Sequence, residues 1–292
     1  MEIINAVIPV AGAGTRLLPA TKSQPKEMLP VGRKPVVQYV VEELKNSGVT
    51  NVLFVTGRNK ASIENHFDYD SELVRMLRES GREDLLSTLE FEKLNLKFFY
   101  TRQKKQIGLG GAVLQAEYFT GKKPFIVANG DCIIGLYGVS SILERLASCF
   151  TEKKADAVIA FEEVAIEQTS HYGIAKPAGK GGVFPLADLI EKPAPCDAPS
   201  TLAVAGRYVF SPAVFDAIKN VKPDKKGEIQ LTDAIRLLIK EGGKVYGVKL
   251  KTDEKRFDIG NFESYFASFM EFAVNDSLLG RDLKNSLRKL LK

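Results

Sequence analysis

Strand-like apolar runs alternate with helix-patterned segments, and each run empties into glycines or polar residues. Residues 3–10 form the first run, followed by Ala11-Gly12-Ala13-Gly14-Thr15-Arg16. Residues 35–44 repeat apolar side chains at helical spacing and close on Gly48. Residues 51–56 form a second run, Gly57 turns the chain, and residues 61–67 read as a helix. Strand, helix, strand, helix is the pattern of a parallel sheet covered on both faces. Residues 96–100 and 124–128 continue it, with a helix expected to Tyr118 between them. Residues 70–94, charged and leucine-spaced, predict one or two amphipathic helices inserted before the third strand.

The second half is richer in strands. Residues 157–161, 171–175, 186–190, 202–210 and 245–248 are strand candidates, with a hairpin turn at 179–182. Helices are expected at 211–219, capped by Ser211-Pro212, at 228–240 and at 262–274. A basic amphipathic tail, 277–292, packs more simply on a subunit surface than on a membrane. No internal repeat or clean linker is evident. The expectation is an α/β domain over 1–276, with a nucleotide lobe at about 1–150 and a smaller lobe at about 151–276.

The polar strand ends carry the chemistry. Successive N–H groups in a glycine turn cradle phosphate oxygens. Arg16 adds a bidentate fork and Lys26 a point charge. The Walker pattern is excluded because no Gly-Lys pair follows Gly12 and Gly14. The dinucleotide fingerprint is excluded because Leu17 stands where a third glycine is needed. A lone Gly-x-Gly can be only a tight turn; what narrows it is Pro25-Lys26-Glu27-Met28-Leu29-Pro30 ten residues on. Asp131, after a buried strand, is either a Mg²⁺ ligand or a capping or turn aspartate. Asp258 could share that metal, and Gln103 could read a base edge. Glu191-Lys192, read alone, is an exposed ion pair. His66 reads as a capping or packing residue, and Cys132 as a small packed one.

Composition narrows the classes. A net charge of +5 over 292 residues suits anionic small substrates and is too diffuse to argue for nucleic acid. No apolar run is long enough to span a bilayer. Three cysteines without a CxxC pair, and no leader pattern, point to a reducing cytoplasm. Two histidines, His66 and His171, make a histidine-ligated metal centre a poor fit. No Ser-His or Cys-His pair supports covalent acyl chemistry. Phosphoryl-type transfer needs mainly positioning and charge neutralisation, which the strand ends provide.

The sequence resembles the bacterial sugar nucleotidyltransferases over roughly residues 3–275. Matching segments are Gly12-x-Gly14-Thr15-Arg16, Pro25-Lys26-Glu27-Met28-Leu29-Pro30, Val55-Thr56-Gly57-Arg58, Arg102-Gln103-Lys104, Gly108-Leu109-Gly110, Glu191-Lys192-Pro193 and Gly206-Arg207-Tyr208. Gly227-Glu228-Ile229-Gln230-Leu231-Thr232-Asp233-Ala234 is specific to the uridylyl branch. The resemblance implies a Rossmann-like, mainly parallel mixed sheet flanked by helices, with a sugar-binding β lobe. It implies Mg²⁺-dependent transfer of UMP from UTP to α-D-glucose 1-phosphate, giving UDP-glucose and pyrophosphate, by a homodimer or homotetramer. By the same resemblance Ala11, Gly12, Ala13, Gly14 and Thr15 hold the nucleotide, and Gln103 and Gly108 bind uracil. Arg16 and Lys26 grip phosphates, and Asp131 and Asp258 bind metal. Gly173, Glu191 and Val204 bind the sugar, and Lys192 its phosphate. Asn129-Gly130-Asp131 stands where the uridylyl branch usually carries Leu-Pro-Asp, closer to the thymidylyl pattern. Thymidylyl transfer, another sugar 1-phosphate, or a non-catalytic nucleotide-sugar sensor on the same fold are the competing expectations.

Overall fold

The computed structural model describes residues 3–291. Its strands are β1 (Asn5–Pro9), β2 (Pro30–Val31), β3 (Lys34–Pro35), β4 (Asn51–Thr56), β5 (Lys97–Arg102), β6 (Phe125–Ala128) and β7 (Cys132–Ile134). There follow β8 (Ala157–Glu163), β9 (Gly173–Pro177), β10 (Val183–Glu191), β11 (Leu202–Phe210), β12 (Val245–Lys249) and β13 (Arg256–Asp258). The α-helices are α1 (Val36–Asn46), α2 (Ala61–Phe67), α3 (Ser71–Glu79), α4 (Gly108–Leu114), α5 (Glu117–Thr120) and α6 (Ile142–Lys153). The last four are α7 (Ala213–Asn220), α8 (Leu231–Lys240), α9 (Phe262–Val274) and α10 (Gly280–Leu290).

One sheet of nine strands, ordered β5-β4-β1-β6-β11-β8-β12-β10-β9, runs through the molecule. Its first four strands are parallel, as the helix-linked apolar runs require. From β11 onward most pairings are antiparallel, and β9 and β10 are joined as a hairpin. The strands alternate side chains between two cores. Ile8 and Phe54 face one core with Val40, Leu44, Ile63 and Leu146. Val7, Val55 and Phe125 face the other with Val113, Phe215, Ile235 and Leu238. Both faces are thus covered, by α1, α2 and α6 on one side and α4, α7 and α8 on the other. A third cluster, Val31, Tyr39, Ile133, Phe257 and Phe272, ties β13 and α9 back to β2, α1 and β7.

Three sequence expectations change. The 70–94 segment forms α3 and then an extended 3-10 stretch, Glu83–Lys93, with no buried residue. Ser87 and Thr88 hydroxyls return to the carbonyls of Asp84 and Leu85, which competes with α-helix formation. The helix expected from Glu228 starts at Leu231, because Asp224 accepts the N–H groups of Lys226 and Glu228 and holds the chain in a turn. The helix expected at 211–219 starts at Ala213, whose N–H donates to the Ser211 hydroxyl at 3.4 Å. His66 is a packing residue: its ring stacks on Phe91 at 4.6 Å and Nε2 lies 3.1 Å from Gln38 Oε1.

Candidate active site

Strand β1 lies in the middle of the parallel half, and its carboxyl end opens onto a cavity of about 410 Å³. Open α/β sheets bind ligands at such ends. Val10 N–H still reaches Val55 O at 3.0 Å, after which the chain leaves the sheet. Gly14 adopts φ 67°, a left-handed turn that residues with a Cβ rarely hold. The Thr21 hydroxyl donates to Gly14 O at 2.7 Å and pins the turn. A short 3-10 turn, Thr15–Leu17, then presents Arg16 to the cavity.

Lys26 enters from a second 3-10 turn, Lys26–Met28. Its neighbour Glu27 is buried and paired with buried Lys60 at 2.8 Å, which anchors the turn under the loop. The Lys26 ammonium donates to Asp131 Oδ2. Burial alone would lower the Lys26 pKa; the carboxylates of Asp131, Glu27 and Asp258 more than reverse that and raise it. Lys26 is therefore a fixed cation.

Asp131 follows β6 by three residues, and Asp258 lies opposite Cys132 in the β7–β13 ladder. Burial pushes both acids up, yet they separate. Lys26 and Arg16 pull Asp131 below the ordinary carboxylate range. Asp258 is raised by burial and by Asp131, against weaker opposition from Arg256 and Lys26. Two carboxylates that resist shared ionisation are a donor set for a hard cation. Among the described residues no group of three or more His, Cys, Asp or Glu could hold a metal. Two aspartates do fit Mg²⁺, which keeps waters and takes phosphate oxygens as its remaining ligands.

The loop carrying Asp131 rests on a buried ion pair. Arg207, fully buried, donates from Nε and Nη2 to Glu43 Oε2 at 3.0 and 2.7 Å. Nη2 also reaches Cys132 O at 2.8 Å, and Nη1 reaches Asn129 O at 3.4 Å. Cys132 beneath is buried and its thiol is pushed up to about 12, mainly by burial, so it is no nucleophile.

Gln103, Gly108, Gln106 and Glu228 line another wall of this cavity. Gln103 is buried, and its Nε2 donates to Gly108 O at 3.3 Å. Gln106 Nε2 donates to Ala11 O at 2.6 Å, tying this wall to the glycine loop after β1. The glycines here admit close approach of the protein itself. A Cβ on Gly108 would lie 2.8 Å from Ile229 O. Gly110 N–H donates to that same carbonyl at 2.9 Å, and Ile229 N–H to Ile107 O at 2.7 Å. This strap brings Glu228 to the cavity wall.

A second cavity, about 550 Å³, adjoins the first and shares Arg16, Lys26, Leu109, Asn129, Asp131, Glu228 and Gly260 with it. Gly173, Glu191, Lys192, Val204 and Asp258 line it. A Cβ on Gly173 would lie 2.7 Å from Thr232 Cγ2, so a small residue is needed there. Thr232 donates its hydroxyl to Glu191 Oε2 at 2.9 Å, while Lys192 Nζ sits 2.7 Å from Oε1. Arg256, absent from the sequence-derived set, donates to Val204 O at 2.9 Å and stacks over the Tyr172 ring at 4.0 Å. All the sequence-derived site residues thus surround two joined cavities. Thr232 lies within the quoted Gly227–Ala234 segment and Arg256 just before Asp258; Gln106 carries no local signal.

The profile of the nucleotidyl transferase family matches residues 5–274. A UTP–glucose-1-phosphate uridylyltransferase 2 of Staphylococcus saprophyticus is 40% identical over 290 residues, covering 99% of this chain and 98% of the relative. A solved UTP-bound UGPase from Acinetobacter baumannii superposes with a TM-score of 0.88 at 34% identity, covering 99% of both chains. A UDP-glucose pyrophosphorylase complexed with UDP-glucose gives 0.82 at 37% identity, covering 92% of this chain and 98% of that one. With the profile running from the first sheet strand to the end of α9, and a relative this similar end to end, the chain belongs to the nucleotidyl transferase family.

Proposed function

We infer that the chain transfers UMP from UTP to α-D-glucose 1-phosphate, releasing pyrophosphate and forming UDP-glucose. The observation that carries this is the junction of the two cavities at Arg16, Lys26 and Asp131. One cavity suits a nucleoside triphosphate and the other a sugar phosphate, and the charges sit where they meet. The relatives' activity supports the choice of UTP and glucose 1-phosphate.

In this reading the loop of Ala11, Gly12, Ala13, Gly14 and Thr15 holds the triphosphate, and Gln103 and Gly108 face the uracil. Glu191, fixed by Thr232, accepts glucose hydroxyls beside Gly173 and Val204. The Lys192 side chain is about half exposed and pairs with its neighbour Glu191, so it can turn onto the sugar phosphate. A phosphate monoester is already ionised near neutral pH, with a second pKa of about 6, so its oxygen needs no general base. That oxygen attacks the α-phosphorus in line, and the bond to pyrophosphate breaks. Arg16 and Lys26 meet the charge that gathers on the leaving oxygens. Asp131 and Asp258 would hold Mg²⁺, which supplies further neutralisation of the phosphates when bound.

No helix among the described residues is long and apolar enough to cross a membrane. We place the enzyme in the cytoplasm, where its three free cysteines stay reduced. Exposed Phe266, Met270 and Leu279 on and after α9 support assembly as a homodimer or homotetramer. Pyrophosphate release measured with UTP and with dTTP, against several sugar 1-phosphates, tests the reading. Fastest turnover is expected for UTP with glucose 1-phosphate; preference for dTTP would move the chain to thymidylyl transfer.

A further inference from the structure

Asn129 sits where the two cavities meet, and its side chain is unspent. Its backbone is held: N–H donates to Gly206 O at 2.9 Å, and its carbonyl accepts from Arg207 Nη1 at 3.4 Å. Its Oδ1 is buried without a hydrogen-bond partner among the described residues. A buried amide oxygen with no partner opposes folding, and native structures seldom leave one without reason.

The surroundings make room for this side chain. Gly206 has φ 74°, and a Cβ there would lie 3.0–3.2 Å from the Asn129 side chain. The β8–β11 register shifts between Val204 and Tyr208, so β11 bulges beside Asn129. Bulges of this kind re-aim side chains next to active sites. The phosphate-facing groups nearby, Arg16 and Lys26, are cations; a neutral carboxamide beside them matches a hydroxyl.

We propose that the Asn129 carboxamide is a specificity contact that hydrogen-bonds a sugar hydroxyl of the bound substrates at the cavity junction. This rests on the reaction proposed above. The hydroxyl belongs either to the ribose of the nucleotide or to the hexose of the sugar phosphate, and the two sources are separable by omission of single oxygens.

The test compares the wild-type enzyme with Asn129→Leu, an apolar side chain of similar size. Both are assayed for kcat/KM with UTP, 2′-deoxy-UTP and 3′-deoxy-UTP on glucose 1-phosphate. They are also assayed with UTP on 2-, 3-, 4- and 6-deoxyglucose 1-phosphate. The wild type is expected to lose about fivefold to tenfold on one deoxy compound through this contact, the worth of one neutral hydrogen bond. Asn129→Leu should lose the same factor on the normal substrates and no longer discriminate against that one compound. A 2′- or 3′-deoxy-UTP as the compound assigns the ribose; a deoxyhexose assigns the sugar. The melting temperature of Asn129→Leu should equal or exceed the wild-type value, because an unpaired polar atom has been removed. Unchanged discrimination against every deoxy compound overturns the proposal, as does a lower melting temperature with uniform loss of activity. Asn129→Ser, small enough to be accommodated, provides the second variant should the leucine not fold. It should also weaken discrimination against the same compound, and unchanged discrimination would overturn the proposal. Absence of wild-type turnover with UTP and glucose 1-phosphate would instead reject the underlying reaction.

Discussion

Lys26→Met removes the cation on which both the free and the reacting site depend. The Lys26 side chain is 16% exposed and its ammonium is bonded to Asp131, 23% exposed. In turnover, loss of one charged donor aimed at developing negative charge costs about 100- to 1,000-fold in kcat, or about 3–4 kcal/mol. Stability should also fall. Breaking a fully buried pair costs about 3–5 kcal/mol; with both groups partly reached by water, about 1–3 kcal/mol is expected here. The pH dependence gives the sharper signature. Wild-type Asp131 lies below its unfolded value, so its contribution is present above the ordinary carboxylate range and is lost as pH falls. Without Lys26, burial dominates and lifts Asp131 above its unfolded value. The variant then gains stability as pH falls through the lifted value, and its deficit against wild type narrows on acidification. Steady-state pyrophosphate release gives kcat, and urea unfolding at pH 7.5, 6.5 and 5.5 gives the deficit. A kcat within threefold of wild type, or a deficit independent of pH, would refute the reasoning.

Asp258→Asn should raise stability at neutral pH by about 0.5–2 kcal/mol while reducing activity, a trade common at functional sites. Its raised folded pKa favours the protonated form, so ionised Asp258 opposes folding as pH rises through that value; a lower melting temperature at pH 7.5 would contradict this. Arg207→Leu should cost about 3–5 kcal/mol in chemical denaturation, because it strands buried Glu43. The double variant Arg207→Leu/Glu43→Leu should recover stability but not activity, since the carbonyls of Cys132 and Asn129 remain unbound; full recovery of kcat would deny Arg207 its support of the Asp131 loop. Thr232→Val should raise the KM for glucose 1-phosphate by about threefold to tenfold, the worth of one hydrogen bond. The KM for UTP should stay put, and a rise in both would remove Thr232 from the sugar side.

The parallel half was legible because its signals are local. Four apolar runs with helical segments between them leave little choice of architecture, and those at 3–10, 96–100 and 124–128 lead into residues that line the first cavity. Arg16, Lys26 and Asp131 stand out because the chemistry they imply matches the segments they sit in, whereas Glu191, an exposed ion pair when read alone, stands out only through the resemblance. What stayed hidden depends on distant pairing. Nothing near Gly108 announces that Ile229 will lie against it. Arg207 and Glu43 are 164 residues apart, and each alone reads as an ordinary charged residue. The start of α8 was misread because one side chain, Asp224, holds the preceding turn against helical propensity.

If the two cavities serve one reaction, neither product forms unless both substrates are present. Incubation with UTP, glucose 1-phosphate and Mg²⁺, with products separated by anion exchange over time, tests that most directly. UDP-glucose and pyrophosphate should appear in equal amounts, and neither should form when the sugar phosphate is left out. No UDP-glucose, or pyrophosphate released without the sugar phosphate, would contradict it.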